Sequence, residues 1–191
     1  MPELDFDISA ALTADTQSAF DAAIKALEAP LDGWREAPLP HFTLPEKTDD
    51  LLDLRDMAAD MAVAFARVIV LGTGGSSLGA QVLAQIHGWG TPPGQSSGPQ
   101  LVFADNLDAT SMARLLMQEE LSDTGFLVVS KSGGTAETMM QLCCVLPALE
   151  AARLEPARHI FGICGTGDVV FRRLAHQYGL RLLDHEADIG G

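Results

Sequence analysis

Residues 130–135, SKSGGT, bring three hydroxyl side chains, one lysine and two glycines into a single short segment. The hydroxyls belong to Ser130, Ser132 and Thr135, and the lysine is Lys131. An apolar run precedes this segment and a helical pattern follows it, so a strand is expected to end and a helix to begin here. The first N–H groups of a helix are unpaired and carry partial positive charge, which suits an anion. The segment therefore predicts a phosphate-binding turn.

A second glycine-rich turn, LGTGGSSLGA at residues 71–80, follows the first apolar run of the same kind. Because glycine lacks a Cβ, such a turn lets the main chain approach a ligand closely. Between residues 68 and 152 only Arg114 and Lys131 are positively charged, so neutral donors would dominate any phosphate site. Glycine-rich turns are common, and Ser and Thr also cap helices. For either turn alone a purely structural role therefore remains open.

Five short apolar runs alternate with helical patterns after residue 67. Strand–helix alternation predicts a parallel sheet with helices on both faces. The expected fold class is α/β, a three-layer αβα arrangement around a doubly wound, mostly parallel five-stranded sheet. Ligands of such sheets bind beyond the carboxyl ends of the strands, where both turns would meet. The strands are expected at 68–72, 101–105, 126–130, 159–163 and 181–185, and the helices near 76–87, 108–120, 135–152 and 167–177.

The first 45 residues differ in pattern from the rest of the chain. Residues 8–29 have the apolar periodicity of an amphipathic helix, which Pro30 is expected to end. Residues 30–46 carry four prolines and predict an irregular connector. The expected organisation is a helical extension with a Pro-rich connector over 1–45, followed by an α/β domain over 46–191.

Charge and hydropathy exclude several classes of partner. The net charge of −14 disfavours nucleic acid and anionic membrane surfaces, because no basic stripe is present to neutralise phosphates. The longest apolar run, Met61 to Leu71, is too short to span a bilayer. The first residues, MPELDFD, lack the layout of a signal peptide. We therefore expect a cytoplasmic protein with neither a nucleic acid nor a membrane as partner.

The three cysteines form no pattern of metal-ligating chemistry. Cys143 and Cys144 are adjacent and Cys164 lies in an apolar run, with no CxxC or Cys/His spacing. Cysteines of this kind are typically buried apolar residues. We expect all three to be buried, and no metal site.

Two rival nucleotide motifs can be checked directly. A P-loop requires a Gly-Lys pair, and none occurs. The dinucleotide pattern G-x-G-x-x-G is met at Gly72 and Gly74, but Ser77 replaces its third glycine. Asp105 could serve as the ribose-binding acid, although it lies farther along than the usual spacing of about 20 residues. Binding of NAD remains a weaker alternative.

Four motifs together resemble the glucose-6-phosphate isomerase family and, more broadly, the sugar-isomerase (SIS) phosphosugar-binding domains. The motifs are VIVLGTGGSSLGA, FADNLDATSM, FLVVSKSGGTAET and HEADIGG, in the order and spacing of that family. The resemblance covers roughly residues 45–191, while residues 1–44 match only loosely. It implies that the α/β domain is an SIS domain.

The resemblance also implies roles for individual residues. Glu137 would support the histidine that assists ring opening, and the turn containing Asn106 and Asp108 would be structural, with Asp108 capping a helix. Gly134, Thr73 and Cys164 depart from the family pattern without removing a phosphate donor. The implied substrate-binding residues are Gly74, Gly75, Ser76, Ser130, Lys131, Ser132 and Thr135.

Aldose–ketose isomerisation requires a carboxylate at the reacting carbons and a cation near the developing oxyanion. The resemblance implies that the proton-transferring glutamate, the ring-opening histidine, a lysine and a second SIS domain lie beyond Gly191. The five histidines of this chain share no visible spacing. The implied function is the phosphosugar-binding half of an isomerase that interconverts glucose 6-phosphate and fructose 6-phosphate. It would need no cofactor, form a homodimer and catalyse little by itself. The alternative is a stand-alone, non-catalytic SIS domain that binds or senses a sugar phosphate.

Overall fold

The computed structural model describes residues 12–88, 98–116 and 121–189. The chain divides into two compact units, Met1–Lys47 and Thr48–Gly191. In the described part of the first unit, a long helix is followed by one short helix and a 3-10 turn. These elements are α1 (Ala14–Glu36), α2 (Pro40–Thr43) and the turn Leu44–Glu46.

The prediction that Pro30 ends the first helix is wrong, because α1 continues through this residue to Glu36. Proline lacks an N–H group, so one intrahelical hydrogen bond is lost, but its fixed φ is close to the helical value. The segment after Pro30 forms bonds of its own. Arg35 pairs with Asp32 at 2.7 Å, and the Ala37 N–H donates to the Gly33 carbonyl at 2.9 Å. The predicted irregular connector is therefore helical over most of its length.

In the described part of the second unit, five parallel strands form one sheet with the order β2-β1-β3-β4-β5. This arrangement confirms the predicted α/β class with its parallel five-stranded sheet. The strands are β1 (Arg67–Leu71), β2 (Gln100–Ala104), β3 (Thr124–Ser130), β4 (Ile160–Cys164) and β5 (Arg181–Asp184). The helices are α3 (Leu51–Ala64), α4 (Gly75–Ile86), α5 (Ala109–Leu116), α6 (Ala136–Ala151), α7 (Pro156–His159) and α8 (Val170–Tyr178).

Each strand lies within two residues of its predicted position. Residues 8–11 and 117–120, for which the sequence also predicts helix, lie outside the described residues. The direction in which successive strands are added to the sheet reverses once. β2 lies on one side of β1, and the chain then crosses back so that β3 lies on the other side of β1. Parallel crossovers are right-handed, so this reversal places α4 on one face of the sheet and the later helices on the opposite face. The doubly wound topology follows from this single reversal.

Two apolar clusters fill the faces of the sheet. The larger cluster joins alternate strand residues, such as Phe126 and Val128, to buried residues of α5, α6 and α8, such as Leu142 and Phe171. The smaller cluster packs α3 against the other face. All five residues of β1 are buried, as expected for a strand covered on both faces. The sheet is therefore a rigid support for the loops that follow its central strands.

The structure corrects one prediction about the cysteines. Cys164 is buried, but Cys143 and Cys144 are exposed on α6. Adjacent residues of a helix are separated by about 100° around its axis, so a buried stripe takes only some positions of each turn. Here that stripe takes Leu142 and Val145. Among the described residues, no helix is both long and apolar enough to cross a membrane.

Candidate functional site

The two glycine-rich turns lie side by side at the carboxyl edge of the sheet. The first loop (residues 72–76) follows β1 and the second loop (residues 130–135) contains the end of β3, and these two strands are paired in parallel. The strand order reverses between them, because β2 lies on the outer side of β1. Open α/β sheets bind ligands at such a switch point. The expectation that the two turns meet at one edge is confirmed.

In the second loop, the hydroxyl groups of two serines lie around the hydroxyl group of Thr135. Its Oγ1 lies 3.1 Å from the Oγ of Ser130 and 3.1 Å from the Oγ of Ser132. The Gly134 N–H donates to the Ser132 Oγ at 3.3 Å. Ser130 is buried, Thr135 is half-buried and Ser132 is exposed, so the cluster runs from the sheet to the surface. Each hydroxyl can rotate its proton toward an arriving acceptor.

The backbone of the second loop is held in place by the loop that follows β4 and by the start of α8. The Lys131 carbonyl accepts a hydrogen bond from the Gly165 N–H at 3.0 Å, and the Gly133 carbonyl accepts one from the Phe171 N–H at 2.9 Å. Gly133 has a φ of 59°, and a Cβ there would come within 2.2 Å of the Val169 Cγ2. This conformation and this close approach both require glycine. The second loop is therefore fixed by its neighbour.

The first loop is shaped by main-chain proximity. Gly74 precedes α4 with a φ of 56°, and its carbonyl accepts a hydrogen bond from the Leu78 N–H at 2.9 Å. A Cβ on Gly72 would lie 3.2 Å from the carbonyl oxygens of both Ser76 and Val129. Gly74 and Gly75 are exposed and Ser76 is half-buried. The first loop thus presents an open stretch of backbone beside the second.

The arrangement of the second loop is suited to an anion. Helix α6 begins directly after Thr135, and the Thr135 side chain does not cap its first turn. The unpaired N–H groups of that turn therefore remain available to a ligand. Lys131 is half-buried between the two serines and adds a positive charge. Hydroxyls, backbone donors and one cation together match a phosphate monoester, although the role of these residues as phosphate ligands stays a prediction.

The structure brings no histidine to Glu137. The Glu137 side chain is exposed in the first turn of α6, and no hydrogen bond joins it to a histidine in the described parts of the chain. His159 is buried, and its Nδ1 donates to the Thr124 carbonyl at 2.9 Å, at the start of β3 and far from the loops along that strand. Among the described residues, Glu137 therefore has no histidine partner, and the resemblance implies that this histidine lies beyond Gly191.

Two further titratable groups flank the site. The Ser111 N–H donates to the Asp108 carboxylate at 2.7 Å, which confirms that Asp108 caps α5. Hydrogen bonding from the Ser111 side chain and backbone lowers the pKa of Asp108. Burial raises the pKa of the Cys164 thiol, which lies beside Ser130 in the sheet. A neutral thiol there adds no negative charge to repel a phosphate. Among the described residues, no cluster of three potential metal ligands is present.

An open depression of about 430 Å³ lies between α8 and the loop after β4, and its lining includes no residue of the hydroxyl cluster. Its cations are already matched by carboxylates. Arg172 bonds to Asp184 and also donates to the Gly165 carbonyl at 2.6 Å, while Arg173 lies 3.5 Å from Asp168. An anion would have to displace these partners. The depression therefore offers a weaker anion site than the second loop.

Sequence reasoning missed two glutamines that connect the helices following the two loops. Gln141 is completely buried on α6, and Gln81 is half-buried on α4. The signal was present for Gln141, because its position belongs to the apolar periodicity of α6 beside Leu142 and Val145. A polar residue at such a position must find hydrogen-bond partners. Which partners it finds could not be read from the sequence.

Comparisons with known proteins identify similar sequences. The model of the phosphoglucose isomerase family matches residues 56–162. A probable glucose-6-phosphate isomerase of Haloquadratum walsbyi is 29% identical over 189 residues, which cover 97% of this chain and 42% of that protein. The glucose-6-phosphate isomerase of Geobacter sulfurreducens is 34% identical over 119 residues, covering 61% of this chain and 22% of that protein. The chain thus spans less than half the length of these curated relatives.

Solved structures share the fold. A hypothetical protein of Thermus thermophilus superposes with a TM-score of 0.72 at 25% identity, covering 92% of this chain and 41% of the other. A glucose-6-phosphate isomerase of Chlamydia trachomatis superposes with a TM-score of 0.63 at 24% identity, covering 74% of this chain and 26% of the other. At this level of identity the second likeness concerns the fold alone.

Proposed function

Because this chain belongs to the phosphoglucose isomerase family, we propose that it is the phosphosugar-binding half of an isomerase that interconverts glucose 6-phosphate and fructose 6-phosphate. The observation that carries this proposal is the hydroxyl cluster around Thr135 at the switch point of the sheet. A sugar phosphate carries an anionic group that such a cluster can bind. We also propose that the α/β domain extends over residues 46–191 and that the protein acts as a homodimer.

The second loop would hold the phosphate. Ser130, Ser132 and Thr135 would turn their O–H groups from one another toward the phosphate oxygens, while the first N–H groups of α6 would complete the shell. Lys131 would neutralise part of the charge. With few cations in the site, affinity should be moderate, as suits a substrate that must leave again. The phosphate would thereby anchor one end of the sugar.

The first loop would contact the sugar chain. Gly74, Gly75 and Ser76 expose backbone and one hydroxyl beside the phosphate-binding residues. Binding of the phosphate contributes to catalysis by orientation, because it fixes the reacting carbons relative to the catalytic groups. We assign no described side chain of this chain to proton transfer. Those groups would come from polypeptide of the kind that the relatives carry outside the matched part.

The hydroxyl cluster can be tested by calorimetric titration with glucose 6-phosphate, fructose 6-phosphate and NAD. Thr135→Ala should weaken binding of both sugar phosphates about tenfold, since one hydrogen bond to a charged group is lost and two neighbouring hydroxyls lose their partner. Thr135→Ser keeps the hydroxyl and should retain most of the affinity. Thr110→Ala, which changes an exposed threonine of α5, is the matched control.

Other outcomes would point to other functions. If NAD binds and the sugar phosphates do not, the dinucleotide alternative is correct. If sugar phosphates bind but a protein that includes the remaining polypeptide never turns them over, a non-catalytic domain that senses a sugar phosphate fits better. If Thr135→Ala binds as tightly as the wild type, the hydroxyl cluster is not the phosphate site. The expected cytoplasmic location stays a prediction.

A further inference from the structure

Gln141 ties α6 to the segment that follows β2. Its side-chain Nε2 donates to the carbonyls of Ala104 at 2.9 Å and Asn106 at 3.1 Å. An amide nitrogen has two hydrogens, so both donors are used. These carbonyls lie on either side of Asp105. The buried glutamine therefore fixes the backbone around an otherwise exposed carboxylate.

Asp105 in turn forms a side-chain hydrogen bond with α4. Its Oδ2 accepts a hydrogen bond from the Gln81 Nε2 at 2.9 Å, and the same nitrogen donates to the Ser77 Oγ at 2.7 Å. Ser77 is completely buried in the first turn of α4, directly after Ser76 of the first loop. The contacts run without a break from α6, through the β2 segment, to the start of α4. Since each loop directly precedes one of these helices, the contacts connect the two loops.

The chemistry of the connection requires amides at both glutamines. Each amide nitrogen donates twice, and three of the four acceptors are carbonyl or carboxylate oxygens that cannot donate in return. A glutamate at position 81 would face the Asp105 carboxylate, and one at position 141 would face two carbonyls. Both replacements would repel their neighbours. An apolar side chain at either position would remove these paired bonds, which hold the connected elements at a fixed separation.

We propose that the contacts from Gln141 through Asp105 and Gln81 to Ser77, named here the amide relay, set the position of the first loop relative to the second. Gln81 and Gln141 are then positioning residues for the sugar phosphate. This inference rests on the proposed function. The second loop holds the phosphate by its own hydroxyls, and the sugar chain needs both loops at the correct distance. Loss of the relay should therefore affect a sugar phosphate more than inorganic phosphate.

The test measures the affinities of the whole chain for glucose 6-phosphate and for inorganic phosphate by calorimetry. Gln81→Met keeps the length of the side chain and removes its donors. It should weaken binding of glucose 6-phosphate about fivefold to tenfold, as expected for one or two lost hydrogen bonds, with a clearly smaller loss for phosphate. Gln85→Met changes an exposed glutamine one turn further along the same helix and should leave both affinities unchanged.

A second pair of variants separates positioning from folding. Asp105→Asn keeps an acceptor for Gln81 and should bind glucose 6-phosphate like the wild type, whereas Asp105→Ala should behave like Gln81→Met. Asp105 is exposed, so neither change threatens the core. Equal losses for the two ligands, or equal behaviour of Gln81→Met and Gln85→Met, would overturn the relay while leaving the proposed function intact. Failure of the wild type to bind either ligand would overturn both.

Discussion

The two loops at the switch point have the same location and similar glycine content, but different contacts hold them. The second loop is fixed by side-chain hydroxyls that bond to one another and by backbone bonds from the loop after β4 and the start of α8. The first loop is fixed by the close passage of Gly72 beside Val129 and by the helix that follows it. The second loop is therefore held by its own hydroxyls and by its neighbours after β4, whereas the first depends on the position of α4.

This difference separates two tasks within one site. A preorganised anion site must present its donors before the ligand arrives, because the cost of ordering them would otherwise reduce affinity. The second loop meets that requirement with side chains. Contact with a sugar requires only that backbone and a hydroxyl lie at the correct distance, which a helix can set from outside the loop. Three substitutions within the loops test this division, and a fourth concerns the turn after β2.

The largest effect is expected at Gly133. Gly133→Ala would force a Cβ to within 2.2 Å of the Val169 side chain in a backbone conformation with a φ of 59°. The strain of that conformation and the overlap together should lower the free energy of unfolding by about 3 kcal/mol, measured in urea. Gly79→Ala is the control, because a Cβ there meets no atom within 4 Å. It should raise stability by about 0.5–1 kcal/mol. Equal stability of the two variants would show that the second loop is not held by its neighbour.

A substitution in the first loop is expected to cause a smaller loss of stability. In Gly72→Ala the new Cβ would lie 3.2 Å from two main-chain carbonyl oxygens, so the backbone must shift by a few tenths of an ångström. We expect the free energy of unfolding in urea to fall by about 1–2 kcal/mol. The affinity for glucose 6-phosphate should fall more than the affinity for inorganic phosphate. If Gly72→Ala lowered the free energy of unfolding as much as Gly133→Ala does, the first loop would not be the more adaptable of the two.

Loss of the positive charge of Lys131 should moderately weaken phosphate binding without changing the free energy of unfolding. Lys131→Gln removes the cation beside the hydroxyl cluster and should weaken binding of phosphate about threefold to tenfold, with a smaller dependence on salt than in the wild type. Binding should also strengthen as the pH rises through about 6, where a phosphate monoester gains its second charge. The control is Lys25→Gln, an exposed lysine of α1. No change in salt dependence would place the phosphate away from Lys131.

The smallest effect is expected at the turn after β2, which lies outside both loops. The lowered pKa of Asp108 means that its ionised form stabilises the folded state. That contribution is present above the ordinary value of 3.8 and is lost as the pH falls through the lower pKa of the folded protein. Asp108→Ala should therefore reduce stability at neutral pH, by a small amount because the carboxylate is exposed. The difference from the wild type should shrink in acid, and a difference that stays constant down to about pH 2 would exclude this origin.

Local pattern was sufficient for much of the fold. Apolar runs of strand length, separated by polar segments, located β1 to β5, and the run is fully buried in the central strand β1. The hydroxyls and glycines of the second loop identified a candidate anion site for the same local reason. The same reasoning gave two wrong predictions: that Pro30 ends the first helix and that Cys143 is buried. A proline costs one bond rather than a whole helix, and the exposure of a cysteine depends on which face of the helix is buried.

The amino-acid sequence by itself determined which segments form strands and helices and which turn carries the hydroxyls, because these depend on side chains close together along the chain. The pattern of strands already predicted that both loops lie at the carboxyl edge, but only the tertiary structure decided that β1 and β3 are adjacent, since strand order depends on the one reversal at β1. It also decided that Gly165 and Phe171 hold the second loop and that Gln141, Asp105 and Gln81 connect two helices. These contacts join residues 24 to 38 positions apart. The acceptor of a given donor cannot be identified from the sequence when the two residues come together only in the folded chain.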